Sequence, residues 1–301
     1  MAALSVYAAD KTPVWRDPSV NQQNREPRRA HFFAFENAEK ARGDKSASER
    51  YLSMEGIWKF HFVKDHQNAP KDFFALKYDD SKWVDFPVPG LFEINGYGDK
   101  TYKNMGYAWC TTFENNPPYI GETNNYTGSY RRTFDLPANW KGQEVFFHVG
   151  SATSNLAVWV NGKYVGYSED SKVAAEFNIT KYLKAGKNLI AMQVMRWCDG
   201  SYLEDQDFWR FTGIAREVYL YAAALRPRSH PPRHAPDVDR GRQGTVLVLA
   251  RHERQALGRV HDRSRDDEAV VLRAGAGDAR DGHGGEGRHH LRLAARTVGP
   301  R

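Results

Sequence analysis

One stretch of the chain concentrates most of the side-chain types that bind or react: Arg196-Trp197-Cys198-Asp199-Gly200-Ser201-Tyr202-Leu203-Glu204-Asp205-Gln206-Asp207-Phe208-Trp209-Arg210, followed by Thr212-Gly213-Ile214. Its carboxylates and its amide can hold adjacent hydroxyl groups by paired hydrogen bonds, and its aromatic faces can cover the apolar face of a sugar ring. Such a mixture suits a carbohydrate. The competing role is structural: Asp and Glu pair with Arg196 and Arg210 to pin a loop, and the aromatics enter the core. For most of these residues the structural role is the expected one.

A second concentration lies between Gly90 and Asn125, with Asn95-Gly96-Tyr97-Gly98, then Tyr102, Asn104, Tyr107 and Trp109, then Asn116-Pro117-Pro118-Tyr119. It reads as a long loop. Its aromatic content argues against disorder, so it is a candidate binding surface. Cys110 and Cys198 are the only cysteines. They are too few for a disulfide framework and lack the clustered spacing of a zinc site, so both read as ordinary thiols.

The elements that must position these residues are strands. Trp58, Phe60 and Phe62 alternate with Lys59 and His61, and the same period of two returns in Tyr130-Leu136, Val145-Val149, Leu156-Val160 and Ile190-Val194. Alternation of this kind marks strands with one buried and one wet face. Asn161-Gly162 tolerates positive φ at both positions of a type I′ turn and predicts a hairpin. Gly186 and Asn188 suggest a further turn before a strand from Leu189. Many short strands, no long helical period and frequent turns predict an all-β, antiparallel jelly roll or β-sandwich over residues 51–221.

Residues 1–50 are polar, with isolated aromatics such as Trp15, and read as an extended arm that cannot form its own core. The opening Met1 to Asp10 has small Val6 and Ala8, as at the end of a signal peptide, but neither a basic start nor a full apolar core. The compartment therefore stays open, cytoplasmic by default and periplasmic if that segment is a signal remnant. No run approaches the ~18 apolar residues of a membrane span, which argues against a membrane partner.

Residues 222–301 contain no Phe, Tyr, Trp, Met, Ile, Asn or Lys and are dominated by Arg, Ala, Gly, His, Asp, Pro and Val. That shift favours residues with G- and C-rich codons, and the tail reads as a shifted reading frame or as disordered. The formal charge of +6 arises there, because up to Tyr221 the basic and acidic residues balance at about 27 each. A charge confined to such a tail is weak support for nucleic-acid binding, and none is expected.

The run Tyr202-Leu203-Glu204-Asp205-Gln206-Asp207-Phe208-Trp209-Arg210 with Gly213-Ile214 resembles the signature near the end of the sugar-binding domain of long, multidomain bacterial β-galactosidases, of the glycoside hydrolase family 2 type. Further matches run in order from about Trp15 to Tyr221, among them Pro87-Val88-Pro89, Tyr102 with Asn104, Asn116-Pro117-Pro118, and Asn161-Gly162 with Val165-Gly166-Tyr167. The resemblance implies a jelly roll that packs beside a catalytic barrel. It also implies hydrolysis of terminal β-galactosyl residues with retention, Asp207 and Asn104 as galactoside-binding residues, and Asp207 as a sodium ligand. Retaining hydrolysis requires two carboxyl groups. The resemblance puts both of them, and the magnesium ligands, in the barrel, so no catalytic residue is assigned here and this chain alone is expected to be inactive. Glu253, Glu268 and Glu286 of the tail have no strand-end context. The resemblance also makes the parent enzyme a homo-oligomer through its N-terminal arm. The alternatives are a free-standing carbohydrate-binding module and a complementing subunit-interface fragment.

Overall fold

The computed structural model describes residues 12–30 and 32–223. The opening segment Met1 to Asp10, and nearly all of the segment read as frame-shifted or disordered, lie outside these residues. The chain divides into two compact units, one containing residues 12–28 and 52–223, the other residues 29–51. The described residues of the smaller unit form turns and two short 3-10 helices, Lys40–Arg42 and Lys45–Ala47, with Glu36 accepting a 2.7 Å hydrogen bond from the Ser48 hydroxyl and the Phe33 and Phe35 rings meeting edge to face.

The larger unit is an all-β sandwich, as its alternating sequence predicts. The central strand Thr127–Leu136 runs between Gly56–Val63 and Gly186–Met195. Beyond these, Leu156–Val160, Lys163–Ser168 and the short Gln22–Gln23 extend one side of a seven-stranded sheet, and Val84–Val88 closes the other. Glu144–Val149 lies between Ala175–Asn178 and Val218–Ala223 in the second large sheet. Phe60, Tyr130, Val158 and Met192 from the first sheet and Phe147, Phe177 and Leu220 from the second belong to one buried cluster. Alternation puts these residues on the inward faces, and their burial is the main stabilising term of the fold.

Asn161 (φ 51°) and Gly162 (φ 81°) form the predicted hairpin turn between Leu156–Val160 and Lys163–Ser168. The Asn161 amide adds side-chain bonds to the carbonyl of Tyr182 and the amide oxygen of Asn188. The expected turn at Gly186 and Asn188 differs from the structure, where the strand already begins at Gly186. Asn188 is buried and donates to the carbonyls of Lys184 and Gly186. Its amide thus completes the preceding turn from within the strand, a role that the type of residue alone does not distinguish from a turn position.

The outer face of the seven-stranded sheet is also covered. Phe73, Phe74, Tyr78 and Trp83 pack over Ala191 and Trp159, and Trp15, Trp109 and Trp197 pack with Tyr167 and Met195. The stretch 90–125, predicted as loop, contains the strand Thr101–Tyr107. That strand pairs with Gln206–Arg210 in a separate two-stranded ladder.

Candidate functional site

Two buried arginines fix the segment that precedes the ladder. Arg196 donates to Glu93 at 2.7 Å, to the Thr101 hydroxyl at 3.0 Å and to the Asp99 carbonyl at 3.2 Å. The other Glu93 oxygen accepts the Thr212 amide at 2.8 Å. Arg210 is 0% exposed. It pairs with Asp205 at 2.6 Å and Glu204 at 3.3 Å, donates to the Ser201 hydroxyl at 3.1 Å and to the Arg196 carbonyl, and lies over the Trp197 ring. Charges with this little contact with water require such partners. Glu204 also accepts from the amide and hydroxyl of Ser171, and Asp205 pairs with Lys172. The structural role therefore accounts for Glu204, Asp205, Arg196 and Arg210.

Asp207 is different. Along the ladder Gln206 faces Tyr107 and Phe208 faces Lys103. Asp207 therefore stands alone opposite Asn104, Met105 and Gly106, in a bulge that Asp207 (φ 51°) and Gly106 (φ 75°) accommodate with left-handed backbone. The fold thus brings the two residues singled out in the sequence, Asn104 and Asp207, to one irregularity of one ladder, and both are exposed. The Tyr102 hydroxyl donates to Asp207 Oδ1 at 3.0 Å, and this bond to a carboxylate raises the Tyr102 pKa. The Tyr102 and Trp209 rings lie 5.2 Å apart, and Trp209 stacks on Phe211. Tyr102, Phe208, Trp209, Met105 and Leu203 are all exposed large hydrophobics. The result is a wet aromatic surface bearing the Asp207 carboxylate and the amides of Asn104 and Gln206, groups that between them can donate to and accept from hydroxyls.

Glu169, Cys198 and Asp199 are the one group among the described residues whose ligating atoms are close enough to share a metal ion, all within 4.8 Å of one another. The three are buried. Burial raises the Glu169 pKa to about 8, aided by the Asp199 carboxylate and its hydrogen bond, and pushes the Cys198 thiol well above its ordinary range. The chemistry of this trio is therefore that of a retained proton. With both carboxyls ionised, Asp199 Oδ2 has no donor; a proton on Glu169 supplies one. Neither Glu169 nor Glu93 stands out in the sequence, because nothing local marks a carboxylate whose partner is distant in the chain.

Residues 51–224 match the sequence model of the family described as glycosyl hydrolases family 2, sugar binding domain. A β-galactosidase of Priestia megaterium is 41% identical over 216 residues, which are 71% of this chain and 21% of that protein. One of Halalkalibacterium halodurans is 38% identical over 265 residues, 86% of this chain and 26% of that protein. A solved β-glucuronidase of Bacteroides uniformis is 26% identical, with a TM-score of 0.45, over 58% of this chain and 18% of that one. The chain spans about a fifth to a quarter of the length of these two curated relatives.

Proposed function

Given that the chain belongs to the glycosyl hydrolases of family 2, whose sugar-binding domain it carries, we propose that it forms the sugar-binding N-terminal part of a β-galactosidase that releases terminal β-galactosyl residues with retention. Asp207 and Asn104 contact the galactoside. The observation that carries this reading is the contrast between Asp207 and its neighbours: Glu204 and Asp205 are occupied by Arg210, whereas Asp207 accepts from the Tyr102 hydroxyl and stands exposed opposite Asn104.

Retaining hydrolysis needs a carboxylate nucleophile and a carboxyl acid and base ~5–5.5 Å apart across the scissile bond. The close pair Glu169 and Asp199 is buried beneath the surface, out of reach of a glycosidic bond, so it does not fit that role. The reacting carboxyls therefore come from further domains of the complete enzyme, and this chain alone does not hydrolyse galactosides. The exposed apolar group of Tyr102, Met105, Leu203, Phe208 and Trp209 suits a surface that such a domain covers. Asp207 offers an oxygen that suits sodium. Among the described residues Asp207 belongs to no group of three or more His, Cys, Asp or Glu side chains close enough to share an ion, so most of a sodium shell would come from carbonyls, water or the rest of the enzyme. The magnesium ligands of the complete enzyme belong with its barrel, and its homo-oligomer is built partly through the N-terminal arm.

The test is hydrolysis of a chromogenic β-galactoside by the purified chain and by Asp207→Ala, together with a galactose titration. No hydrolysis, and sugar binding weakened by the substitution, is the expected result. Hydrolysis that survives purification and falls in the variant would show that the chain supplies its own catalytic groups. Tight, saturable binding with no further domain would instead favour a free-standing module.

A further inference from the structure

A cavity of about 260 Å³ opens on the outer face of the seven-stranded sheet, and neither Asn104 nor Asp207 lines it. One wall is Trp15 of the N-terminal segment, held edge to face against His66 with ring centroids 5.2 Å apart. The opposing walls are Trp159, Tyr164 and Tyr167, from two strands joined by the Asn161-Gly162 turn. Three amides reach the same space. Gln23 accepts the Tyr164 hydroxyl at 2.7 Å, Gln193 donates to the Ser129 hydroxyl at 3.2 Å, and Asn155 accepts the Met195 amide at 3.0 Å.

Asn155 is 2% exposed, and its Nδ2 makes no well-aligned hydrogen bond in the protein, the Tyr167 hydroxyl on the cavity wall being its one near neighbour of that kind. A buried amide donor at the edge of a cavity calls for an acceptor inside that cavity. The chemistry of the lining narrows what the acceptor belongs to. No Asp, Glu, Lys or Arg lines the cavity, and burial lowers the pKa of His66, which favours its neutral ring. A phosphate or a carboxylate would find no cation there. Aromatic walls with interleaved amides instead match a neutral ring that has apolar C–H faces and a rim of hydroxyls. The volume is below the roughly 300–1,000 Å³ of sites for drug-sized ligands. It holds one ring and not an oligosaccharide.

We propose that this cavity is an accessory binding site for a single neutral pyranose, separate from the site at Asp207. The sugar packs against Trp159 and Tyr164, the two aromatic walls with exposed surface, and one of its hydroxyl oxygens accepts the Asn155 Nδ2 proton. Gln23 and Gln193 bind further hydroxyls.

The proposal is tested on the full chain carrying Asp207→Ala, which removes the other candidate site and keeps the two readings distinguishable. Methyl β-D-galactopyranoside and methyl β-D-glucopyranoside are titrated, with saturation-transfer NMR and tryptophan fluorescence as readouts. Saturable binding of at least one glycoside is expected, with glucuronate binding at least tenfold more weakly. Ala157→Phe fills the cavity from its floor and is expected to weaken binding at least tenfold. If that variant does not fold, Gln193→Leu, which removes one amide, is expected to weaken binding severalfold. Absence of saturation with both glycosides, binding unchanged in the variants, or equal binding of glucuronate would each overturn the proposal.

Discussion

Replacing Glu169 by glutamine isolates the buried proton. Glu169 and Asp199 are each 8% exposed, and the Tyr167 hydroxyl donates to Glu169 Oε1 at 2.6 Å. Burial foremost, then the neighbouring Asp199 and Glu204 charges, hold Glu169 protonated up to about pH 8, against an ordinary value of 4.5. Burial also raises the Asp199 pKa. Between these limits the native chain keeps a proton that the unfolded chain has released. The unfolded state then binds fewer protons, so stability falls as pH rises, and the full penalty is reached above about pH 8. The difference in affinity for that proton corresponds to about 3–5 kcal/mol. Glutamine offers Asp199 a donor and Tyr167 an acceptor at every pH. Urea unfolding of both proteins, followed by tryptophan fluorescence at pH 5, 6.5, 8 and 9, is therefore expected to give nearly equal stabilities at pH 5. The curves should then diverge, with the variant the more stable by about 3–5 kcal/mol at pH 9. Groups that do not interact with Glu169 are common to both proteins and cancel in the difference, so what remains is the titration of Glu169 with the Asp199 coupled to it. Parallel curves would refute the reasoning, because the carboxyl would then titrate alike in the folded and unfolded chain.

Arg210→Met removes the partner of Asp205 and Glu204 and should cost about 3–5 kcal/mol in urea unfolding, since buried charge is left uncompensated. Phe147→Ala, at a fully buried site between the sheets, should cost a similar ~3–5 kcal/mol by the same measurement. Asn161→Ala removes the side-chain bonds that tie the hairpin turn to Tyr182, Asn188 and Leu189 and places alanine at φ 51°; a loss of about 2 kcal/mol is expected. Asp207→Asn, at an exposed position, should change stability by less than ~0.5 kcal/mol. It should also return the Tyr102 phenol toward its ordinary pKa, which an ultraviolet titration of tyrosine will read.

How far each feature could be read in advance follows from the range of the interaction behind it. The period of two in Trp58-Phe60-Phe62 and Leu156-Val158-Val160 is a property of neighbouring residues, because successive side chains of a strand point to opposite faces. The Asn161-Gly162 turn was legible for the same reason: its signal is the φ that two adjacent residues tolerate. The strand Thr101–Tyr107 was missed because its sequence lacks that alternation and it meets a core through Tyr107 at its end; its order comes from pairing with a segment about a hundred residues further on. Asn104 and Asp207 were singled out by resemblance. Local sequence alone did not separate Asp207 from Glu204 or Asp205, since all three are carboxylates within four positions.

Composition and periodicity by themselves determined an all-β sandwich with a polar leading segment and a compositionally foreign tail, because burial of alternating apolar side chains needs no knowledge of distant partners. Only the tertiary structure decided which carboxylates pair with the buried arginines, that Asp207 remains exposed beside Tyr102, and that burial beside Asp199 raises the Glu169 pKa. The Arg196–Glu93 and Tyr102–Asp207 contacts join residues 103 and 105 positions apart. Desolvation and charge pairing act through space, so they act between such residues only once the sheets have brought them together.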